Sequence, residues 1–434
     1  MPAPIICGQS DTSCTVIFVV PFLLGVRLEM KIAYIAHEVN RHAGPARCTA
    51  ELVERVSNEH EVTVFSSDLD IIDRGKVRYY KIPSVKNTWT LNYLVFLLCS
   101  TVLLAVLSLF RKGKFDIVHS TGLDNPLANV MTCHFCEREG RELDESGTAG
   151  LPGGTMLQHL RKADRCLDRH LCCFVERVIF RRKTSKLRIA VSERLKEDFV
   201  RHYGSAAQTL LVIANGLDTQ RFSPSARISC RRQIRARFGI AEGDLVLIFV
   251  GRQDWERKGL PCVIHALALI PRDDVKLLVV GGGDPALYAD MARGGGVENR
   301  VIFVGHTTTI WEHYAAADVF VFPTLYEPYG LVITEAMASG LPVITARAAG
   351  AADLIDDGVS GILLDDPTDA NELAAKINML LSDTKLRSDM EREARLAVEG
   401  LSWDEVALRN MSAYEIMLSR RRARSSPHGK GVQA

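Results

Sequence analysis

Short runs of apolar, β-branched residues alternate along this chain with longer stretches whose apolar residues recur at helical spacing. The runs fall into two series, which we interpret as strands. The first series covers residues 31–36, 61–66, 115–119, 129–133 and 188–191, and the second covers 210–213, 245–250, 276–280, 301–304, 319–322 and 342–345. Helices are predicted between them at 46–58, 260–269 and 310–316. Alternating strands and helices predict parallel α/β sheets, and two series predict two Rossmann-like, doubly wound domains that face a central cleft.

Breaks in this pattern indicate where one domain gives way to the next. Asn215, Gly216 and Pro224 interrupt it, so the boundary is expected within 205–225. Residues 137–156 are rich in Gly and Glu, which predicts a mobile loop.

The two ends of the chain lie outside the pattern. Residues 14–28 are almost wholly apolar, but no Lys or Arg precedes them, so they make a poor signal peptide. We interpret 1–29 as an N-terminal extension and expect translation to begin at Met30, directly before the first strand. Residues 420–434 are basic and rich in Ser and Gly, which predicts a disordered tail.

Residues 91–110 carry no charged side chain, and three basic residues follow within four positions. By length and hydropathy the segment could form a transmembrane helix. The strand that follows it should belong to the sheet that also holds the first two strands, and a spanning helix would place these strands on opposite sides of a bilayer. We therefore favour a buried or interfacial helix. The basic cluster at 181–186 would assist peripheral contact with anionic lipid.

Composition narrows the function classes. The chain has 434 residues and a formal net charge of +1, so we expect no nucleic-acid partner. Eleven cysteines favour reduced thiols in the cytoplasm over a disulfide framework. Cys133, His134 and Cys136 have ligand-like spacing, but the adjacent Cys172 and Cys173 make a poor second pair for zinc. We expect no metal.

The segment 319–343 carries the strongest chemical signal. An apolar strand reaches a proline-containing turn, and a helical stretch then starts near Gly330. The free N–H groups at the helix start favour a phosphate, and Glu327 and Glu335 offer acceptors for sugar and ribose hydroxyls. An ordinary strand–loop–helix with solvated glutamates is the alternative.

A second candidate lies where the strand at 245–250 ends. Arg252 follows that strand and Lys258 precedes the next helix. An arginine fork and a lysine point charge suit a diphosphate, although both could be ordinary surface residues. The glycine turn at 281–283 lacks the order of a dinucleotide fingerprint, and no phosphate-loop motif occurs.

Three further features of the first half are weaker. His119 and His134 sit at predicted strand ends, where a histidine can hydrogen-bond a sugar or a leaving group, although a lone histidine is more often structural. Asp68 and Asp70 form a D-x-D triplet of the kind that can hold a metal–nucleotide. Such triplets are common by chance, and this one lies far from the segment at 319–343.

Taken together, these segments resemble a known family. VGRQDWERKGL, VVGGGD, YAAADVFVFPTLYEPYGLVITEAMASGLPVI and DGVSGILL occur in the order and spacing of retaining glycosyltransferases of family 4, which have the GT-B fold. IANGLDTQRFSP resembles the family's interdomain segment, and SWDEVALRNMSAYE resembles its last helix. The resemblance implies an acceptor-binding domain at 30–208, a donor-binding domain at 209–400 and a helix at 401–419 that returns to the first domain.

The resemblance also implies roles for the donor-side residues. Arg252 and Lys258 would hold the donor diphosphate and stabilise it as it leaves. Glu327 would contact the donor sugar and Glu335 the ribose, since they match the family's E-x7-E pair. The N–H groups around Gly330 and Leu331 would complete the phosphate site.

On the acceptor side, His134 matches the family's active-site histidine, and Gly44 and Arg47 lie in the loop after the first strand, near phosphate and acceptor. Three positions depart from the family pattern. Ala43 replaces the first glycine of a pair, Tyr329 stands where Phe is usual, and Asp353 stands where Glu is usual. None of these changes removes a catalytic carboxylate.

The implied reaction is retaining transfer of a sugar from a nucleotide-diphosphate sugar, UDP- or GDP-linked, to an acceptor hydroxyl without a metal. The apolar helix favours a lipid-linked or polysaccharide acceptor, and action in the cytoplasm, at the inner face of the cytoplasmic membrane. Alternatives are a nucleotide-sugar epimerase, a sugar phosphorylase and an inactive membrane-associated binding protein. A dehydrogenase would need a glycine fingerprint that the chain lacks.

Overall fold

The computed structural model describes residues 29–42, 44–109, 114–145, 156–181, 186–204 and 207–425. The strands are β1 (Lys31–Ile35), β2 (Glu38–Val39), β3 (Glu61–Ser66), β4 (Asp68–Leu69), β5 (Val77–Lys81), β6 (Ile117–Thr121), β7 (Val130–Cys133), β8 (Leu187–Ala190), β9 (Leu211–Val212), β10 (Leu245–Val250), β11 (Val275–Val280), β12 (Val301–Gly305), β13 (Val319–Phe322), β14 (Val343–Ala346) and β15 (Ile362–Leu364). The helices are α1 (Gly44–Val56), α2 (Trp89–Leu109), α3 (Glu137–Glu145), α4 (Met156–Arg181), α5 (Glu193–Tyr203), α6 (Pro224–Arg237), α7 (Leu260–Ala268), α8 (Pro285–Gly294), α9 (Ile310–Ala316), α10 (Leu331–Ala338), α11 (Ala370–Ser382), α12 (Thr384–Val398) and α13 (Trp403–Ser425).

Two parallel sheets confirm the predicted α/β architecture with two domains. The first has the order β5-β3-β1-β6-β7-β8-β9 and the second β12-β11-β10-β13-β14-β15. In each sheet, the next strands along the chain are added on one side of the first strand, β1 or β10. The chain then returns to the other side of that strand, where the remaining strands are added. The reversal lies between β1 and β6 in the first sheet and between β10 and β13 in the second. A crevice opens at such a point, because the connections on its two sides leave in opposite directions.

The central strands of the second sheet are continuous apolar runs because helices cover both faces. From Val246 to Val250 every residue of β10 is buried, as is all of β13. The sequence predicted the bounds of both strands correctly, since Gly, Pro or charged residues flank each run.

Elements with weaker patterns differ from the prediction. β5 was not predicted: it is a half-exposed edge strand with charged residues, and it pairs only with β3. Residues 137–145 form α3 where a mobile loop was expected, because the buried carboxylate of Glu176 accepts the N–H groups of Glu137 (3.0 Å) and Arg138 (3.2 Å) at the helix start. The rest of that expected loop, 146–155, lies outside the described residues, as do the extension 1–28 and 182–185 of the basic cluster.

Helix α2 is the apolar segment predicted at 91–110, and within the described residues it is long and apolar enough to cross a membrane. Its inner face, which includes Phe96 and Leu104, packs on β1 and β3 of the first sheet. Ser100, on the same face, accepts a hydrogen bond from Asn125 (3.1 Å). The outer face leaves Leu98 and Val102 more than 60% exposed. The helix is therefore a covering layer of the first domain with an unpaired apolar outer face.

Helix α13 packs against α1, in the first domain. The buried Tyr414 hydroxyl lies 2.5 Å from Nδ1 of His119 and 3.3 Å from the Tyr34 hydroxyl. Met417 is still buried near the end of the predicted helix, and α13 continues through the first residues of the predicted tail to Ser425. Residues 426–434 lie outside the described residues.

The chain therefore crosses between the domains twice, and the two crossings are hydrogen-bonded to each other. The N–H of Leu217 donates to the carbonyl of Leu401 (2.6 Å), and a Cβ on Gly216 would lie 2.5 Å from the ring of Trp403. β9 belongs to the first sheet, so that sheet extends to Val212, a few residues beyond the expected boundary at 208.

Replacing Tyr414 with Phe should lower the free energy of unfolding by about 1–2 kcal/mol, because His119 loses its partner in a buried site. The midpoint of urea denaturation measures this loss. Tyr80→Phe is the matched control, since that ring stacks on Phe65 and its hydroxyl makes no hydrogen bond within the described residues. Equal effects of the two substitutions would contradict the proposed role of the Tyr414 hydroxyl.

Candidate active site

The loops that follow β10 and β13 meet at the point where the second sheet reverses. Gly259 has a left-handed backbone (φ 85°), and a Cβ there would lie 2.0 Å from the carbonyl oxygen of Pro323. Only glycine allows this approach. It places Lys258 beside the loop after β13, where its Nζ lies 2.7 Å from Oε2 of Glu327. The structure thus brings together two residues that the sequence assigned to one site from segments 69 residues apart.

This ion pair is largely removed from water. Burial alone would raise the pKa of Glu327, but attraction to Lys258 and to Arg257, with the hydrogen bond from Lys258, holds it below its usual value. The Lys258 ammonium also lies 5.2 Å from the centre of the Phe322 ring. Glu327 is therefore a fixed negative charge that keeps the ammonium at the crevice.

Sequence reasoning missed Arg257, which braces this loop. Its guanidinium donates to the carbonyl of Tyr326 and to Oδ2 of Asp254 (2.6 Å), tying the β10 loop to the residue before Glu327. Its position in the sequence could have indicated this role. Arg257 lies between Arg252 and Lys258, and a residue in a short loop between two candidate ligands must lie near both of them.

Arg252 follows β10 in the same loop. Its side chain is exposed, and no described residue pairs with it. Its backbone is fixed, since the N–H of Gly282 donates to its carbonyl (3.1 Å). A Cβ on Gly281 would lie 1.9 Å from the carbonyl oxygen of Gly251, so the glycine turn after β11 allows this close packing. Among the described residues Arg252 therefore has no counter-ion, and its backbone is hydrogen-bonded to the glycine turn after β11.

Helix α10 begins at the same edge of the sheet. Gly330 precedes it with φ 96°, and no side chain caps the helix start at Leu331. A Cβ on Gly330 would lie 3.3 Å from Cγ of Glu327, so the helix start and the Lys258–Glu327 pair are neighbours. Open N–H groups, Lys258 and Glu327 thus share one place, as the sequence predicted.

Glu335 lies one turn along α10 and is 4% exposed. Nη1 of Arg47, from the first domain, lies 2.6 Å from its Oε1, and the Tyr314 hydroxyl donates to its Oε2 (3.3 Å). Burial raises the pKa of Glu335 although both partners act to lower it. The two residues were assigned to opposite sides of the reaction, and the structure instead joins them across the cleft. Gly44 begins α1 three residues before Arg47, and Ala43 lies outside the described residues.

His134 follows β7 at the carboxyl edge of the first sheet. Desolvation lowers the pKa of His134 to about 4, so its ring is neutral near pH 7. It lines a small cavity of about 30 Å³ together with Thr49 and Asn215.

His119, in contrast to His134, has a hydrogen-bond partner for each ring nitrogen. Tyr414 contacts one nitrogen and Thr132 the other (2.7 Å), so His119 has a structural role.

The two described departures from the family pattern both lie where the two domains meet. The Tyr329 hydroxyl donates to the carbonyl of Asn215 (3.0 Å), a bond that Phe could not make. Asp353 accepts the backbone N–H groups of Glu193 and Arg194 at the start of α5. Both contacts help to hold the domains together.

The remaining candidates lie apart from this crevice. Asp68 accepts a hydrogen bond from the Asn40 amide (3.0 Å), which fixes a short β2–β4 pair. Among the described residues, Glu139, Glu142 and His202 place possible metal-ligand atoms within 4.8 Å of one another, but Arg201 already pairs with Glu139.

Comparison with known proteins agrees with this architecture. The family described as "Glycosyltransferase Family 4" matches residues 43–221, and "Glycosyl transferases group 1" matches residues 231–397. The matches cover the two domains in turn. The chain belongs to the family 4 type of GT-B glycosyltransferases, and its activity is the transfer of a sugar to an acceptor.

Curated relatives include an uncharacterized glycosyltransferase of Methanocaldococcus jannaschii, 26% identical over 84% of this chain and 91% of the relative. The D-inositol 3-phosphate glycosyltransferase of Geodermatophilus obscurus is 35% identical over 50% of this chain and 49% of its own length. The lipopolysaccharide glucosyltransferase WaaG of Escherichia coli is 30% identical over 52% of this chain and 61% of its own length. The chain thus spans less than two thirds of the last two relatives.

Solved structures share the fold. WaaG has a TM-score of 0.70 at 21% identity, covering 89% of this chain and 99% of that chain. Anabaena HepE in complex with UDP and glucose has a TM-score of 0.66 at 22% identity, covering 89% and 100%. At these identities the likeness concerns the fold alone.

Replacing Arg47 with Met should destabilise the ligand-free protein by roughly 3 kcal/mol, because Glu335 loses its cation in a buried site. The pKa of Glu335 is already raised and should rise further. A carboxyl group with a raised folded-state pKa stabilises the fold at low pH and loses that contribution as pH rises through this pKa. Urea denaturation should therefore show a larger loss at about pH 8 than at about pH 5.

The double variant Arg47→Met/Glu335→Gln should lose most of this pH dependence, because it carries no carboxylate at that position. Equal losses for Arg47→Met at both pH values would show that Glu335 is not buried against the first domain in solution.

Proposed function

We propose that this protein is a retaining hexosyltransferase that uses a nucleotide-diphosphate sugar, with UDP or GDP as the nucleotide. The observation that carries the proposal is the half-buried Lys258–Glu327 pair (2.7 Å) at the reversal of the second sheet, beside Arg252, which pairs with no described residue. Two cations and an uncapped helix start at one crevice match the charge of a diphosphate. The likeness to HepE, which binds UDP and glucose, supports the choice of donor.

Each donor group then has a matching contact. The diphosphate is held by Arg252, Lys258 and the N–H groups around Gly330 and Leu331. The sugar hydroxyls donate to Glu327, whose lowered pKa keeps it an acceptor. The ribose hydroxyls donate to Glu335, and Arg47 must share or leave that carboxylate when the nucleotide enters, since the two are in contact without it.

The reaction follows from this charge distribution. The bond between the anomeric carbon and the diphosphate oxygen breaks, both electrons leave with the oxygen, and Lys258 and Arg252 stabilise the new negative charge. The acceptor hydroxyl enters from the same face and gives its proton to the departing oxygen, which retains the configuration. A neutral His134 is a hydrogen-bond partner for the sugar or acceptor. In this reaction side chains, rather than a metal or another cofactor, neutralise the charge of the leaving diphosphate.

The acceptor is a carbohydrate or a lipid-linked saccharide, as in lipopolysaccharide, glycolipid or polysaccharide synthesis. The likeness to WaaG and the apolar outer face of α2 support this choice. We place the enzyme in the cytoplasm, attached peripherally to the inner face of the cytoplasmic membrane. That face of α2 and the basic cluster 181–186 would make the contact, although 182–185 of the cluster lie outside the described residues.

Replacing Lys258 with Ala should lower kcat by about 10²–10³, as loss of one oxyanion donor does. The exposed Lys385 of the same domain provides the control, and Lys385→Ala should keep full turnover.

A thermal-shift screen with UDP- and GDP-sugars identifies the donor first. A ligand at about 100 times its Kd stabilises by roughly 2.7 kcal/mol.

Proton NMR of the product then gives the anomeric configuration. Undiminished turnover in Lys258→Ala would refute the donor-site assignment, and an inverted product would refute retention.

Polar substitution of the outer face of α2, Leu98→Gln/Val102→Gln/Val106→Gln, should reduce co-sedimentation with anionic vesicles about tenfold, because the helix loses its apolar contact area. The control replaces three apolar residues exposed elsewhere, as Val359→Gln/Leu396→Gln/Leu408→Gln. If both triple variants bind vesicles as the parent protein does, the outer face of α2 is not the membrane contact.

A further inference from the structure

The first domain contains a large cavity that shares no residue with the site described above. Its volume is about 540 Å³, and it lies between α3, α4 and α5. Five arginines line it: Arg138, Arg141, Arg177, Arg181 and Arg201. None of the described residues that line it is Asp or Glu. We call it the arginine cavity.

Helix α4 supplies one wall through its spacing. His170, Phe174, Arg177 and Arg181 recur at intervals of three or four residues, so they project from one face of the helix. Across the described part of the chain, neither Arg177 nor Arg181 forms an ion pair. Two guanidinium groups thus enter the cavity with no counter-ion.

Two of the other three arginines are only loosely engaged. Arg138 pairs with Glu142 (2.9 Å) and Arg141 with Glu145 (2.7 Å), each within one turn of α3 and with both partners at least 30% exposed. Exposed pairs of this kind contribute little to stability, so these arginines can turn to another anion at small cost. Arg201 of α5 pairs with Glu139 and Asp198 and is half exposed.

The size and walls of the cavity indicate what it binds. Guanidinium forks match phosphate oxygens two at a time. A volume of about 540 Å³ exceeds one phosphate and falls in the range of small-molecule sites. The stacked rings of Phe180 and Tyr203 (4.9 Å between centroids) form an apolar wall, and Phe174 stands 64% exposed.

The cavity is also coupled to the edge of the cleft. Helix α3 begins three residues after His134, and the carboxylate of Glu176 holds it by accepting the N–H of Glu137 (3.0 Å) and the hydroxyl of Tyr203 (2.6 Å). The intervening Phe135 packs edge-on against Tyr326 of the donor domain, 5.4 Å between centroids. An anion that joins α3 to α4 would thus brace the loop that carries His134.

We propose that the arginine cavity is a second phosphate-binding site, which takes a diphosphate or a phosphate carried on a larger molecule. The shared chemistry is a phosphate group with at least two ionised oxygens. It comes from a soluble phosphate compound or from the headgroup of a lipid, and the experiment separates these sources.

The test uses the full chain and inorganic pyrophosphate in isothermal titration calorimetry. The parent protein should show two classes of site, one at the donor crevice and one at the cavity. Arg177→Gln/Arg181→Gln should weaken the second class at least tenfold and leave the first, whereas Lys258→Ala should do the reverse. The experiment therefore distinguishes an error in the donor-site proposal from an error in the arginine-cavity proposal.

The matched control, Arg165→Gln/Arg232→Gln, removes the same charge from two exposed arginines outside the cavity and should bind as the parent does. Thermal denaturation checks folding, since Arg177 and Arg181 are exposed and their loss should not shift the midpoint. In a second arm, the same proteins are sedimented with phosphatidylcholine vesicles with and without phosphatidic acid.

A loss confined to pyrophosphate would identify a soluble phosphate compound as the ligand, and a loss of the phosphatidic acid dependence would identify a lipid headgroup. If Arg177→Gln/Arg181→Gln matches the control in both arms, the proposal is overturned.

Discussion

The half-buried ion pair between Lys258 and Glu327 is the interaction on which the proposed chemistry of this protein depends. Removing two charges from water is costly unless each meets a partner with good geometry. Here the loops after two adjacent strands of the second sheet supply the partners, and Gly259 allows those loops to touch. The sheet order therefore determines where the ammonium lies, and the carboxylate holds it in place before any ligand arrives.

The second carboxylate of the E-x7-E pair has its partner in the other domain. Arg47 neutralises Glu335 across the cleft, and contacts from Tyr329 and Asp353 hold the domains close beside it. In the first domain, a neutral His134 and an arginine-lined cavity lie on either side of the start of α3. The protein thus has one ion pair within the donor domain and another between the two domains.

The sequence predicted the parts of the structure that rest on local pattern. β10 and β13 were predicted to the residue because buried parallel strands are uninterrupted apolar runs, and their adjacency placed Lys258 beside Glu327. The half-exposed edge strand β5 and the capped helix α3 gave no such pattern, since a neighbouring strand and a distant carboxylate stabilise them. The contact of Arg47 with Glu335 joins residues 288 positions apart and depends on how the domains close, which no local pattern records.

The paired crossings between the domains have a consequence for how such enzymes can be rebuilt. Because Leu217 and Leu401 are bonded to each other, the donor domain enters and leaves its partner at a single point. The donor domain is therefore an insertion between β9 and α13 whose two ends lie next to each other. Exchange of that segment between relatives would need one covalent junction to be matched at Gly216 and Trp403, together with the contacts between the domains such as Arg47–Glu335.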